Sequence, residues 1–79
     1  MLLKIGVGNV VAVDKVVAVI SSDCAPMRRF REEARQRGKL VDATQGRKTR
    51  AVIVTSSDHI ILSAVAVDTI TQRWEEYKR

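Results

Sequence analysis

At 79 residues, 46% of them apolar but with one Trp, one Tyr and one Phe, the chain makes a single domain (residues 1–79) with a small aliphatic core, and it is too hydrophobic to be disordered. Fourteen Lys and Arg against nine Asp and Glu leave a net charge of +5, and nine of the fourteen cations are Arg, so the expected partner is anionic. One Cys and one His exclude an internal disulfide and any structural zinc pattern; no metal or cofactor is expected, and association between copies is the expected reinforcement of so small a core.

Two apolar runs, Leu2 to Val13 and Val16 to Ile20, flank Asp14-Lys15. Their shortness and β-branched content predict two strands, with Gly6-Val7-Gly8-Asn9 a bend or bulge inside the first and Lys15 at a strand end. Residues 24 to 37 read as a helix. Ser22-Asp23 offers acceptors for its free amides, Pro26 is tolerated in the first turn, and Gly38 stands where it stops. Met27, Phe30 and Ala34 form its core stripe; Arg28, Arg31 and Arg35 share one flank, and Glu33 with Arg37 makes an i,i+4 pair. Strands are then predicted at Lys39 to Thr44, Arg50 to Thr55 and His59 to Val67, joined by turns at Gln45-Gly46 and Ser56-Ser57-Asp58, the last two as a hairpin. Asp68 is placed to cap a final helix with Ile70, Trp74 and Tyr77 as a narrow stripe. The order β-β-α-β-β-β-α predicts an α+β fold, a small single domain with a largely antiparallel sheet and two helices. The opening residues hold no continuous apolar segment suited to a signal peptide or membrane span, and cysteine poverty fits a reducing compartment, so a cytoplasmic location is expected.

Between two apolar runs stands Gly46-Arg47-Lys48-Thr49-Arg50, three cations in four residues, followed at once by a strand. A turn at the mouth of a strand fixes such side chains in space. Nucleic-acid backbones are lines of regularly spaced anions, and Arg presents a planar fork that matches two phosphate oxygens. Lys15 and the helix flank of Arg28, Arg31 and Arg35 add two more features of the same sign. The plainer alternative is a solvated turn that keeps an edge strand soluble. Nothing comparable supports catalysis. No spacing joins Cys24 to His59; Gly6-Val7-Gly8 lacks the third glycine of a dinucleotide loop; and Arg47 stands where a phosphate-binding loop ending in Lys48-Thr49 needs Gly. Asp14, Asp42, Asp58 and Asp68 are single carboxylates at element ends, and no small-molecule substrate is evident. No helix-turn-helix, zinc finger or aromatic platform stands out, so binding should be led by the phosphate backbone and weakly sequence-specific.

Ile5-Gly6-Val7-Gly8-Asn9-Val10-Val11, Ser22 with Ala25-Pro26, Leu40-Val41-Asp42-Ala43-Thr44 leading to Gly46-Arg47-Lys48-Thr49-Arg50-Ala51-Val52, and His59 through Ala64 closely resemble the RemA family of bacterial regulators, over about residues 1 to 73. The resemblance implies a non-enzymatic, DNA-binding activator of extracellular-matrix and biofilm genes. It also implies a subunit fold similar to LytTR-type domains and a closed homo-oligomeric ring, octameric in the family, with duplex DNA bent around it. By the same resemblance the DNA-contacting positions fall on Lys15, Arg47 and Lys48, with Arg50 next in the motif. Lys15 and Lys48 stand where the family carries Arg, which keeps charge but loses bidentate geometry. Pro26 matches a family proline and is read as structural, as is Gly46 in its turn. The arginine flank on the helix comes from its spacing alone. An oligomeric scaffold for an acidic protein and an RNA-binding module remain the alternatives to a nucleoid-associated DNA binder.

Overall fold

The first apolar run folds back on itself. In the computed structural model, which describes residues 1–6, 8–23 and 27–77, strands β1 (Leu2–Gly6) and β2 (Asn9–Ala12) form an antiparallel hairpin with Leu3 opposite Val11 and Lys4 opposite Val10. The single bulged strand expected here is thus two strands. Gly8 takes a φ of +73°, a backbone conformation that glycine adopts without a Cβ penalty, and the bulge survives as a register shift between Lys4 and Gly6. Strict alternation buries Leu3 and Ile5 and turns Leu2 and Lys4 outward.

A short 3-10 turn, Val13–Lys15, leads into β3 (Val16–Ser21). Helix α1 (Met27–Gln36) follows; the Ser22 hydroxyl donates to the carbonyl of Thr49 at 2.8 Å, and the amides that Ser22-Asp23 was expected to cap fall among residues outside those described. Cys24, Ala25 and Pro26 lie outside the described residues. The helix closes as Gly38 predicts: with φ at +70°, Gly38 N–H donates to Arg35 O and Lys39 N–H to Ala34 O, the paired bonds of a Schellman motif.

The remaining strands are β4 (Leu40–Asp42), β5 (Ala51–Thr55) and β6 (Ile60–Ser63), each shorter than its apolar run suggests. With β3 they make a four-stranded sheet in the order β3-β5-β6-β4. β3–β5 and β5–β6 pair antiparallel, whereas β4 runs parallel to β6 with Leu40 opposite Ile60, so the sheet is mixed. β5 and β6 hold the centre, and β3 and β4 are the edges.

Period-two alternation along β5 and β6 sorts the core into two layers. Val52, Ile60 and Leu62 meet α1 through Ala34, Met27 and Phe30, as the helix stripe predicts. Ala51 and Ile53 face the opposite way, onto Leu3 and Ile5 of the hairpin and Ile70 of α2 (Val67–Tyr77), with Trp74 packed alongside. The chain is therefore three layers: α1, the mixed sheet, then the hairpin and α2. Asp68, expected as a cap, is already inside the first turn of α2, where a carboxylate opposes the positive end of the helix dipole. The side chain of Tyr77 lies outside the described residues. Fully burying an aliphatic side chain such as Ile53 or Ile70 stabilises the fold by about 1.5–3 kcal/mol.

Candidate functional site

The segment between β4 and β5 is built before it is charged. Asp42 Oδ1 accepts from the backbone N–H of Thr44 at 2.9 Å and from its hydroxyl at 2.6 Å, and Ala43 N–H donates to Leu62 O. Gln45 and Gly46 then take φ of +55° and +81°, and Arg47 N–H closes the turn onto Thr44 O at 3.1 Å. Positive φ at both central positions is the signature of a type I′ turn. A glycine adopts the second of these φ values without a Cβ penalty. At the far end Arg50 is clamped on both sides, its N–H donating to Ser63 O and its carbonyl accepting from Ser22 N–H.

Arg47, Lys48 and Arg50 are exposed, and none is ion-paired with a described residue. The segment divides two clefts. Arg47 lines one of about 400 Å³ together with Lys4 of β1 and Arg73 of α2, and no acidic side chain is among its described lining residues. Lys48 and Arg50 line the other, which also carries Asp23 and Asp68. Arg73 is held by a 2.8 Å hydrogen bond from its guanidinium to the carbonyl of Lys4.

Lys15 stands apart. Its carbonyl accepts from Ser56 N–H, which places it at the β5–β6 end of the sheet, while Arg50 precedes the other end of β5. Six residues separate the two levels, roughly 20 Å at about 3.3 Å per residue. Within one chain Lys15 and the Arg47–Arg50 segment cannot grip the same phosphate.

The helix flank divides as well. α1 leaves the Arg50 end of the sheet and returns the chain at Lys39, beside Ile60, so Arg28 lies nearer the basic turn than Arg35 does. Arg28 is exposed; Arg31 is half-buried and directs its charge toward Asp42; Arg35 bonds Glu32 at 3.2 Å. The expected Glu33–Arg37 pair is replaced by Arg29–Glu33 at 3.7 Å, one turn nearer the start of the helix. The hydrogen bonds from Thr44, and then the Arg31 charge, hold the Asp42 carboxyl below its usual pKa of 3.8.

Lys4 and Arg73 are the cations that sequence reasoning passed over. The alternation of β1 puts Lys4 on the outer face; nothing in the spacing brings Arg73 to it. His59, weighed as a catalytic base, is occupied at the β5–β6 turn by a 2.7 Å contact between its Nδ1 and Ser57 Oγ. Among the described residues there is no group of His, Cys, Asp and Glu that could hold a metal, and no helix is long and apolar enough to cross a membrane.

A family model described as RemA-like, extracellular matrix regulatory protein A-like, matches residues 2–74. The chain is 56% identical over 79 residues to a protein of Thermodesulfovibrio yellowstonii, covering all of this chain and 93% of the relative. It is 59% identical over 73 residues to one of Oleidesulfovibrio alaskensis, with 92% and 87% covered, and 60% identical over 72 residues to one of Syntrophobacter fumaroxidans, with 91% and 77% covered. Each relative bears the name "Putative regulatory protein".

Proposed function

We propose, from the premise that this chain belongs to the RemA-like family of regulatory proteins, that it is a non-enzymatic transcriptional regulator that binds duplex DNA as a homo-oligomeric ring in the cytoplasm, associated with the nucleoid. The observation that carries the reading is the basic turn: three exposed cations, free of ion pairs with described residues, on a segment pinned by backbone hydrogen bonds at both ends. Such a turn meets a phosphate backbone without first ordering a flexible tail, so little of the binding free energy is lost to entropy.

Association is favoured by the surface. Val17 on edge strand β3 is 67% exposed and Val41 on edge strand β4 is 44% exposed, on opposite sides of one sheet. Two different apolar edges suit head-to-tail contact, which closes into a ring when the rotation allows. Repetition would supply affinity, each subunit adding a few phosphate contacts to one duplex. Bending that duplex around the ring costs about 1–6 kcal/mol for a 20–30 bp site, which favours flexible sequence steps. Activation of extracellular-matrix and biofilm genes is the regulatory outcome this family membership suggests.

Anisotropy titration of labelled duplexes across a salt series, paired with a solution mass measurement, tests the reading. We expect an oligomer whose affinity falls steeply with salt and is similar for unrelated duplexes. A stable 8.8 kDa monomer, or duplex affinity that does not respond to salt, overturns it. Preference for single-stranded RNA in a parallel titration would replace it with the RNA-binding alternative.

A further inference from the structure

The cleft beside the basic turn differs from the rest of the cationic surface in shape and in sign. Lys4 from β1, Arg47 from the turn and Arg73 from α2 come from three separate parts of the chain to line it. The neighbouring cleft balances Lys48 and Arg50 with Asp23 and Asp68; this one has no carboxylate side chain among its described lining residues. Its volume, about 400 Å³, falls in the range of about 300–1,000 Å³ typical of small-ligand sites. A duplex presents its phosphates along a ridge and needs no such concavity.

We infer that this cleft binds a small diphosphate-bearing molecule. Three cations lining one cleft, with no acid among its described lining residues, raise the local positive potential, and a concave wall focuses it, so a compact multiply charged anion is the matching ligand. Arg73 is already oriented: the bond to Lys4 O uses one donor of its guanidinium and fixes the plane, leaving the other N–H groups for phosphate oxygens. The proton of the Thr44 hydroxyl, also in the lining, is spent on Asp42, and the three cations supply the charge that a phosphate meets. Ala43, Ala64 and Val65 furnish a small apolar wall beside the cations. Arg47 belongs both to this cleft and to the basic turn, so an occupied cleft would withdraw one cation per subunit from the duplex. The ligand site itself does not depend on the duplex reading.

Inorganic pyrophosphate, titrated calorimetrically into the full chain without DNA at physiological ionic strength, tests it. We expect saturable binding at one site per subunit, weakened about tenfold by Lys4→Gln, whose exposed side chain makes no hydrogen bond or ion pair with a described residue, and by Arg73→Gln, each losing a charge-assisted contact. Arg28→Gln, on the other side of the sheet, should leave the affinity unchanged. Absence of saturation, or equal weakening by Arg28→Gln and Lys4→Gln, overturns the site and reduces the effect to general attraction by a basic surface. A duplex titration of the same proteins at matched ionic strength separates the two readings: pyrophosphate binding with no duplex binding refutes the DNA proposal alone, and duplex binding with no pyrophosphate binding refutes the cleft alone.

Discussion

The guanidinium of Arg73 donates to the backbone carbonyl of Lys4 at 2.8 Å, joining residues 69 positions apart. The bond latches the last helix to the first strand over the buried contact of Ile70 with Leu3 and Ile5. Because it lies at the surface, Arg73→Ala should cost only about 1 kcal/mol. Urea unfolding should show a lower midpoint with an unchanged slope, the mark of lost stability without a change in the unfolded state.

Ser63 carries a heavier bond. It is fully buried, and its hydroxyl donates to Ile5 O at 2.6 Å while accepting from Val65 N–H at 3.1 Å. Ser63→Ala withdraws a partner from two backbone groups at once and should cost about 2 kcal/mol or more, read as a fall in the thermal midpoint.

Gly46→Ala changes no charge. Its φ of +81° penalises a Cβ even though open space surrounds the position, at about 1–2 kcal/mol. Duplex binding should weaken while the net charge stays at +5, because the cations lose their fixed arrangement. Amide exchange at Arg47 should accelerate in the same variant, since its N–H closes the turn.

Asp42 gives the fold an acid-sensitive contact. Its pKa is depressed in the folded state by the Thr44 bonds and then by Arg31, so its contribution is present above the usual value of 3.8 and is lost as pH falls through the lower folded value. Asp42→Asn should narrow the stability difference between neutral and acid solution. A series of urea midpoints from pH 6 downward checks it, with the two proteins converging at the acid end.

Lys15→Ala and the double change Arg47→Ala with Lys48→Ala remove cations from opposite ends of β5. Their effects on duplex affinity should add to within about 0.5 kcal/mol, as for sites without shared partners. The salt slope should shrink by about 0.9 for each phosphate contact removed. Strong coupling in this cycle would instead place Lys15 of one subunit beside the basic turn of its neighbour.

Local pattern carried much of this fold into the sequence. The short β-branched apolar runs Ala51–Thr55 and Ile60–Ser63 mark the central strands, the Met27, Phe30 and Ala34 stripe marks the buried face of α1, and Gly38 marks its end. The β1–β2 reversal was hidden because an apolar run with two glycines reads equally as a bulge or a turn. The parallel docking of β4 was hidden because strand direction depends on which neighbour wins the edge, and Leu40–Asp42 has the same alternation either way. At the site, the Arg47–Arg50 segment is contiguous and so visible in the chain, whereas Lys4 and Arg73 become neighbours only through the tertiary fold. The separation of Lys15 from the Arg50 level was equally invisible, being a property of which end of β3 meets which end of β5.

The order of the sheet also sets a sequence of events in time. β5 and β6 close on each other within residues 51–63, a short loop, while β3 must arrive from far upstream and β4 gains its parallel partner only once β6 is in place. Conservative truncations at Ile53 or Leu62 should therefore slow refolding, and Leu3→Ala should mainly speed unfolding. The cationic turn is strung between the strand that docks late and the hairpin that closes early. A nascent or partly unfolded chain would then hold those charges without their arrangement, and the capacity to grip an ordered row of phosphates would emerge only with the last strand, making ligand binding a reporter of complete folding.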